Sequence, residues 1–241
     1  MHARLSARTV RLLAVTAAAA ASLAAAAGTA GAATPGFGSH FHGQNYSGGN
    51  WGGYVSFGDF TTATASWTEP SVTCNSSNDL FAPWVGIDGD GSSTVEQTGV
   101  ATDCSSGSPV YQAWYEMFPD APVYYSTSEA PVAAGDQISA TVTRTGDNTY
   151  KLDISDTTKG WSKTITKSLD SKHASAEAII ESPSDSYPSI DGGVKFSGVK
   201  FDDKNLADTS PQGLDADDNG SATFSPGDIG SDGQSFTMTR H

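Results

Sequence analysis

From Asn50 onward the chain alternates. Apolar and polar residues trade places at every second position in short runs, and Gly, Asp, Asn and Ser separate the runs at close spacing. The runs are Trp51–Phe57, Thr61–Thr68, Ala82–Asp88, Thr94–Ala101, Val110–Phe118, Gln137–Thr145, Thr149–Ser155, Trp161–Lys167, Ser175–Glu181, Gly193–Phe201 and Ser235–Arg240. They are rich in Val, Thr, Tyr, Trp and Ile, the residues that fit a pleated, half-buried surface. No window carries a sustained 3.6-residue period with caps, so there are no helices to cover a parallel sheet. What remains is an all-β fold, an antiparallel β-sandwich of two sheets of the concanavalin or jelly-roll kind. Gly146-Asp147-Asn148 and Asn219-Gly220 are hairpin turn signals. The Asp- and Gly-rich stretch from Lys204 to Ser231 reads as one long loop before a last strand.

The first 33 residues stand apart. Arg4, Arg8 and Arg11 precede an Ala- and Leu-rich run from Leu12 to Ala27, and small residues close it at Ala30-Gly31-Ala32-Ala33. That is the pattern of a cleaved secretory signal peptide, and the run is shorter than a membrane span requires. A Gly-, Ser-, His- and Asn-rich leader over 34–49 has little to bury and is expected to be disordered. Residues 50–241 then form one domain, secreted and extracellular. Cleavage would leave 10 basic residues against 27 acidic ones. Such a surface repels nucleic-acid phosphates and anionic membranes, so neither is an expected partner, and a monomer is expected.

Secretion also bears on Cys74 and Cys104, the only two cysteines. An even count in an oxidising compartment reads as a disulfide. Closing a loop of about 30 residues stabilises by roughly 3–4 kcal/mol in the chain-entropy picture.

Several chemistries drop out. Of the five histidines only His173 falls inside the alternating body, in a Lys- and Ser-rich turn where it reads as a solvated loop residue. A Ser-His-Asp or Cys-His mechanism has no positioned base. There is no HExxH motif, phosphate loop or CxxC pair. Asp215-Ala-Asp217-Asp218-Asn219-Gly220 matches the start of a calcium loop, but Pro226 stands where the bidentate Glu belongs, so it reads as an acidic turn. No cofactor and no metal are expected.

Carboxylates and carboxamides remain, and alternation says where they point. In Val110–Phe118, one face carries Gln112, Trp114 and Glu116. In Ser175–Glu181, one face carries Ser175, Glu177, Ile179 and Glu181, opposite an apolar Ala176, Ala178 and Ile180. In the Val95 run, Gln97 shares a face with Val95 and Gly99. Three neighbouring strands could thus aim Gln97, Glu116 and Glu177 into one aromatic-lined concavity, or each could be an ordinary solvent-facing residue of a half-exposed sheet.

Five blocks sharpen the choice: Asn50-Trp51-Gly52-Gly53-Tyr54-Val55, Trp84-Val85-Gly86-Ile87-Asp88-Gly89, Gln97-Thr98-Gly99-Val100, Ala113-Trp114-Tyr115-Glu116 with Pro119-Asp120, and Ser175-Ala176-Glu177. In that order and spacing the chain resembles the glutamic peptidases (eqolisins), secreted acid endopeptidases built on a sandwich of two antiparallel sheets. The resemblance spans about Asn50 to Phe201. It implies a catalytic dyad of Gln97 and Glu177, a substrate cleft lined by Trp84, Asp88, Trp114 and Glu116, and polypeptide substrates. Glu177 would act as general base on a water, and Gln97 would stabilise the tetrahedral oxyanion. Two other readings use the same face. A sandwich glycoside hydrolase would pair Glu116 with Glu177, and a carbohydrate-binding module would stack sugars on Trp84 and Trp114. The acidic composition, with few cations to partner the carboxylates, suits work near the isoelectric point of about 4.4.

Overall fold

The structure is a computed structural model and describes residues 41–42, 45–218 and 221–241. The expected signal peptide, most of the leader and the Asn219-Gly220 turn lie outside the described residues. Within them the chain is an antiparallel two-sheet sandwich whose only helix is one 3-10 turn at Leu206–Thr209. Among the described residues no helix is long and apolar enough to cross a membrane.

Among the described residues the front sheet runs from edge to edge through Phe41–His42, Asn45–Ser47, Gln212–Asp218, Trp51–Phe57, Ser175–Glu181, Leu80–Asp88, Val95–Asp103, Val110–Phe118 and Val123–Tyr124. All its pairings are antiparallel except that of Asn45–Ser47 with Gln212–Asp218. The back sheet runs through Trp161–Ser168, Thr149–Asp156, Gln137–Gly146, Thr62–Thr68, Val194–Phe201, Phe236–Arg240 and Ser221–Pro226. The period-two pattern buries one row from each sheet against the other: Val85, Ile87, Ala176, Ala178 and Ile180 face Ala65, Trp67, Ile138, Leu152 and Phe196. Each large side chain removed from water there contributes about 1.5–3 kcal/mol. The disulfide joins Cys74 to Cys104.

Two expectations change. The stretch from Lys204 to Ser231 is not a single loop. Gln212–Asp218 is a strand that pairs with Trp51–Phe57 at its start, bends at a bulge between Ala216 and Asp217, and pairs with Ser221–Pro226 at its end. It therefore belongs to both sheets and closes one side of the sandwich. The sequence disguised it because Ala216 packs between the sheets while Leu214 joins the apolar cluster on the outer face, and backbone pairing on both flanks replaces the apolar burial that marks an ordinary strand.

The folded body also begins before Asn50, because Asn45–Ser47 is a strand inside the expected leader. Its side chains make up for its lack of apolar content: Asn45 Nδ2 donates to Asp215 at 2.9 Å, and Ser47 bonds to Asp217. The same bonds engage two acids of the calcium-like pattern. Among the described residues no group of three or more His, Cys, Asp or Glu is placed to hold a metal ion.

Candidate active site

Register places the candidate residues. Glu116 lies opposite Gln97, Gln97 opposite Gly86, and Gly86 opposite Glu177. Cross-strand partners share a face, so Glu116, Gln97 and Glu177 form one row across four strands on the outer face of the front sheet. Gly86 is the only member of the row without a side chain. A Cβ there would meet the Trp84 ring at 2.9 Å and Glu177 Oε1 at 3.0 Å, so glycine alone lets Gln97 and Glu177 face each other across it. With strands about 4.8 Å apart, the two backbones are roughly 10 Å apart, within reach of two long side chains.

This face carries an apolar cluster of its own: Trp51, Val55, Trp84, Val95, Trp114 and Ile179. It supplies the low-dielectric bed in which the polar row sits. Gln97 Nε2 donates to Glu116 Oε2 at 2.6 Å, which fixes the carboxamide. Its Oε1 is buried without a hydrogen-bond partner, and so are both carboxyl oxygens of Glu177. Burial pushes the Glu177 carboxyl well above its usual pKa. The Ser175 hydroxyl eases this, while Asp88, Asp90 and Glu96 add to it. Burial raises Glu116 to about 7, with the Gln97 amide working against the rise.

Of the four expected cleft residues, two line a cavity. Trp114 and Glu116 bound an open cavity of about 340 Å³, together with Tyr124, Leu80 and Glu181 among others. Gln97 and Glu177 are not in its lining but lie one and three strands along the row from Glu116. Trp84 is fully buried, its ring edge-on to Trp51 at 4.8 Å, so it forms the floor beneath the cleft instead of its wall.

Asp88 departs most from expectation. It is fully buried, and its backbone takes a left-handed φ of 67°. Its two oxygens accept from the backbone N–H groups of Lys172, His173 and Ala174 at 3.1, 2.9 and 2.6 Å. That carboxylate is engaged by the turn that launches Ser175–Glu181. The same turn draws His173 inward. Its Nε2 is buried and its ring lies 6.2 Å from Tyr150, so it is not the solvated residue its neighbours suggested.

Sequence reasoning passed over two contributors. Gly86 was quoted only within a block, and its role follows from register alone. Glu181 shares the Glu177 face four residues on. It lines the cavity and accepts from Asn50 Nδ2 at 2.9 Å. Burial and the neighbouring Glu116 raise it to about 8, against the indoles of Trp84 and Trp51 and the Asn50 amide.

Residues 49–238 match the family model of the peptidase A4 family. Aspergillopepsin-2 of Aspergillus niger is 33% identical over 156 residues, covering 54% of this chain and 55% of its own. Scytalidopepsin B of Scytalidium lignicola is 35% identical over 139 residues, covering 54% of this chain and 50% of its own. The chain thus spans about half the length of these curated relatives. Among solved structures, scytalido-glutamic peptidase with a transition state analog inhibitor superposes with a TM-score of 0.69 at 26% identity, over 80% of this chain and 98% of that one. Aspergilloglutamic peptidase from Aspergillus niger gives 0.55 at 27% identity, over 68% and 99%.

Proposed function

The chain belongs to the peptidase A4 family, and from that membership we propose that it is a secreted acid endopeptidase cleaving polypeptides through Gln97 and Glu177. The observation that carries the reading is the Glu116–Gln97–Gly86–Glu177 row, with buried, unpartnered oxygens on Gln97 and Glu177 facing each other across a glycine. A water between them would donate to Glu177 and to Gln97 Oε1. Ionised Glu177 takes one of its protons as the water oxygen attacks the scissile carbonyl carbon. One N–H of Gln97 is held by Glu116, and the other donates to the oxyanion that forms. As the C–N bond breaks, Glu177 hands its proton to the leaving amine and returns to its starting state. Positioning falls to Asp88, through the turn before Ser175, and to Glu116, through Gln97.

The carboxamide argues against a glycoside hydrolase. Gln97 stands in the row between Glu116 and Glu177, and a pair of carboxylates acting on a glycosidic bond has no need of it. Glu116 is also engaged by Gln97. A sugar-stacking role for Trp84 fails on its complete burial.

The test is direct. Purified protein incubated with a denatured protein at about pH 4 should yield internal fragments, and Glu177→Gln should yield none while keeping the same circular dichroism. Full cleavage by Glu177→Gln would overturn the assignment.

A further inference from the structure

Behind the row, on the other face of the same strand, lies a carboxyl that the proposed reaction does not use. Glu96 directly precedes Gln97, so it points the opposite way, into the interior between the sheets. It is fully buried, and its cross-strand partners Ile87 and Met117 both belong to the interior core. Neither of its oxygens completes a hydrogen bond. A carboxylate there would be stripped of water and set beside Asp88. Burial and then Asp88 accordingly raise Glu96 to about 9, with the Tyr150 phenol and its own backbone N–H working against the rise. The titratable and charged groups around it are Asp88 and Glu177 in the front sheet and Tyr150 in the back sheet, with the His173 ring and the Arg144 guanidinium beside Tyr150.

Tyr150 reaches Glu96 from the strand Thr149–Asp156 and is itself fully buried. Its hydroxyl also bonds to Ser171 Oγ. Ser171 lies in the turn whose next three N–H groups, those of Lys172, His173 and Ala174, donate to Asp88. The strand of Glu177 begins directly after that turn. Three side chains thus cross the core from the strand of Gln97 to the turn that leads into Glu177. Their chemistry gives the chain a direction: a neutral acid has one O–H to give, and a phenol oxygen can accept it while its own proton goes on to Ser171. We propose that Glu96 is a positioning residue, a neutral acid donating to Tyr150 as Tyr150 donates to Ser171, and that this interior strut holds Glu177 in place opposite Gln97. The proposal rests on reading Gln97 and Glu177 as the reacting pair. Without the strut the turn before Ser175 keeps its bonds to Asp88 but loses its tie to the back sheet, and the carboxyl that must meet the water loses its fixed height above the row.

Two variants separate this strut from ordinary packing. Glu96→Gln stays neutral and keeps an N–H for Tyr150, whereas Glu96→Leu keeps the bulk and gives nothing. Amide hydrogen exchange reads the turn without turnover. In Glu96→Leu the amides of Lys172, His173 and Ala174 should exchange at least about tenfold faster, while those of Val194–Phe201 keep their wild-type rates. In peptide hydrolysis the same variant should lose about ten- to a hundredfold in kcat with KM little changed, because a misplacement of about 1 Å costs on that order. Glu96→Gln should restore both. Tyr150→Phe cuts the strut at its middle, so it should reproduce the Glu96→Leu effects even if that variant fails to fold, and joining the two should add little. Exchange that speeds up equally throughout the chain, exchange of the turn that stays unchanged, or a Glu96→Gln protein as impaired as Glu96→Leu overturns the proposal. So does full kcat in a variant whose turn has loosened. If the turn loosens as expected while the wild type cuts no protein, the strut stands and the peptidase reading falls.

Discussion

At the scale of single residues, Glu177 carries a conflict. The general base proposed here must be ionised, yet burial and three nearby carboxyls favour its proton. Ser175, two residues back on the same strand face, is the neighbour that works the other way, and its hydroxyl is buried with no completed hydrogen bond. The pH profile reads this directly. A reaction started by the carboxylate loses kcat/KM on the acid side as Glu177 takes up its proton in the free enzyme. Ser175→Ala removes the group that favours the carboxylate, so the acid limb should move to higher pH while the activity above it changes less. Peptide hydrolysis measured across pH for both proteins checks this, and an unmoved limb would show that Ser175 does not tune the base. Alternation gave the faces of Gln97, Glu116 and Glu177 in advance, and the resemblance to the glutamic peptidases singled out Gln97 and Glu177 among them. Asp88 was not readable. A strand pattern places it on the cleft face, but its left-handed backbone turns the carboxylate onto a loop 84 to 86 residues away in sequence.

At the scale of elements, the sandwich solves its two sides differently. One side is closed by Gln212–Asp218 crossing between sheets, and that strand was hidden because its partners are remote and its sequence is rich in Asp. The other side ends at Trp161–Ser168, an edge strand whose pairing partner lies on one flank only. Its alternation was plain in the sequence, but the meaning of its lysines was not. Lys163 and Lys167 share the inward row with Trp161 and Ile165. Their ammonium groups lie 5.7 Å from the Tyr125 ring and 5.9 Å from the Tyr115 ring. The stems thus cover the open seam while the charges stay at its rim, and inward-pointing charge on an edge strand is a known guard against sheet-to-sheet association. Replacing both by Ile should keep the fold, since the stems are apolar already, but remove the guard. Light scattering should then show concentration-dependent association absent from the parent protein. A double variant that stays monomeric at millimolar concentration would mean the edge is protected by something else.

For the molecule as a whole, the deciding quantity is the number of buried carboxyls with no cation. Glu69 accepts from Trp67 at 2.9 Å and lies in the core, where burial raises it to about 8 against the hydrogen bonds from Trp67 and Thr102. Burial and then Asp88 raise Glu96 to about 9, against the Tyr150 phenol. Glu181 stands at about 8. An acid whose pKa is raised by folding binds its proton more tightly in the native state. Below the unfolded value of about 4.3 both states are protonated and nothing is lost. Between that value and the folded pKa the unfolded chain has released a proton that the native state retains, so stability falls by about 1.4 kcal/mol per pH unit for each such group. The opposing terms are small. Of the four ion pairs among the described residues, two have mostly exposed partners in Asp59 and Glu129, and such pairs contribute about 0–1 kcal/mol each. Burial alone would raise Asp79 and Asp202, but hydrogen bonds from Ser186, Asn75 and Ser76 to the first, and from Thr61 and Thr62 to the second, hold both below the usual range. Their protonation sets a lower limit only in stronger acid. The balance predicts a melting temperature highest at or somewhat below about pH 4.3 and falling steadily toward pH 8–9, which suits the proposed work in acid and an isoelectric point near 4.4. Thermal unfolding followed by circular dichroism across that range measures it. Glu69→Gln keeps the shape and the Trp67 bond while removing the proton, so it should flatten the fall between about pH 5 and about pH 8. A melting temperature that rose toward neutrality in the parent protein would mean that these carboxyls ionise freely in the folded state.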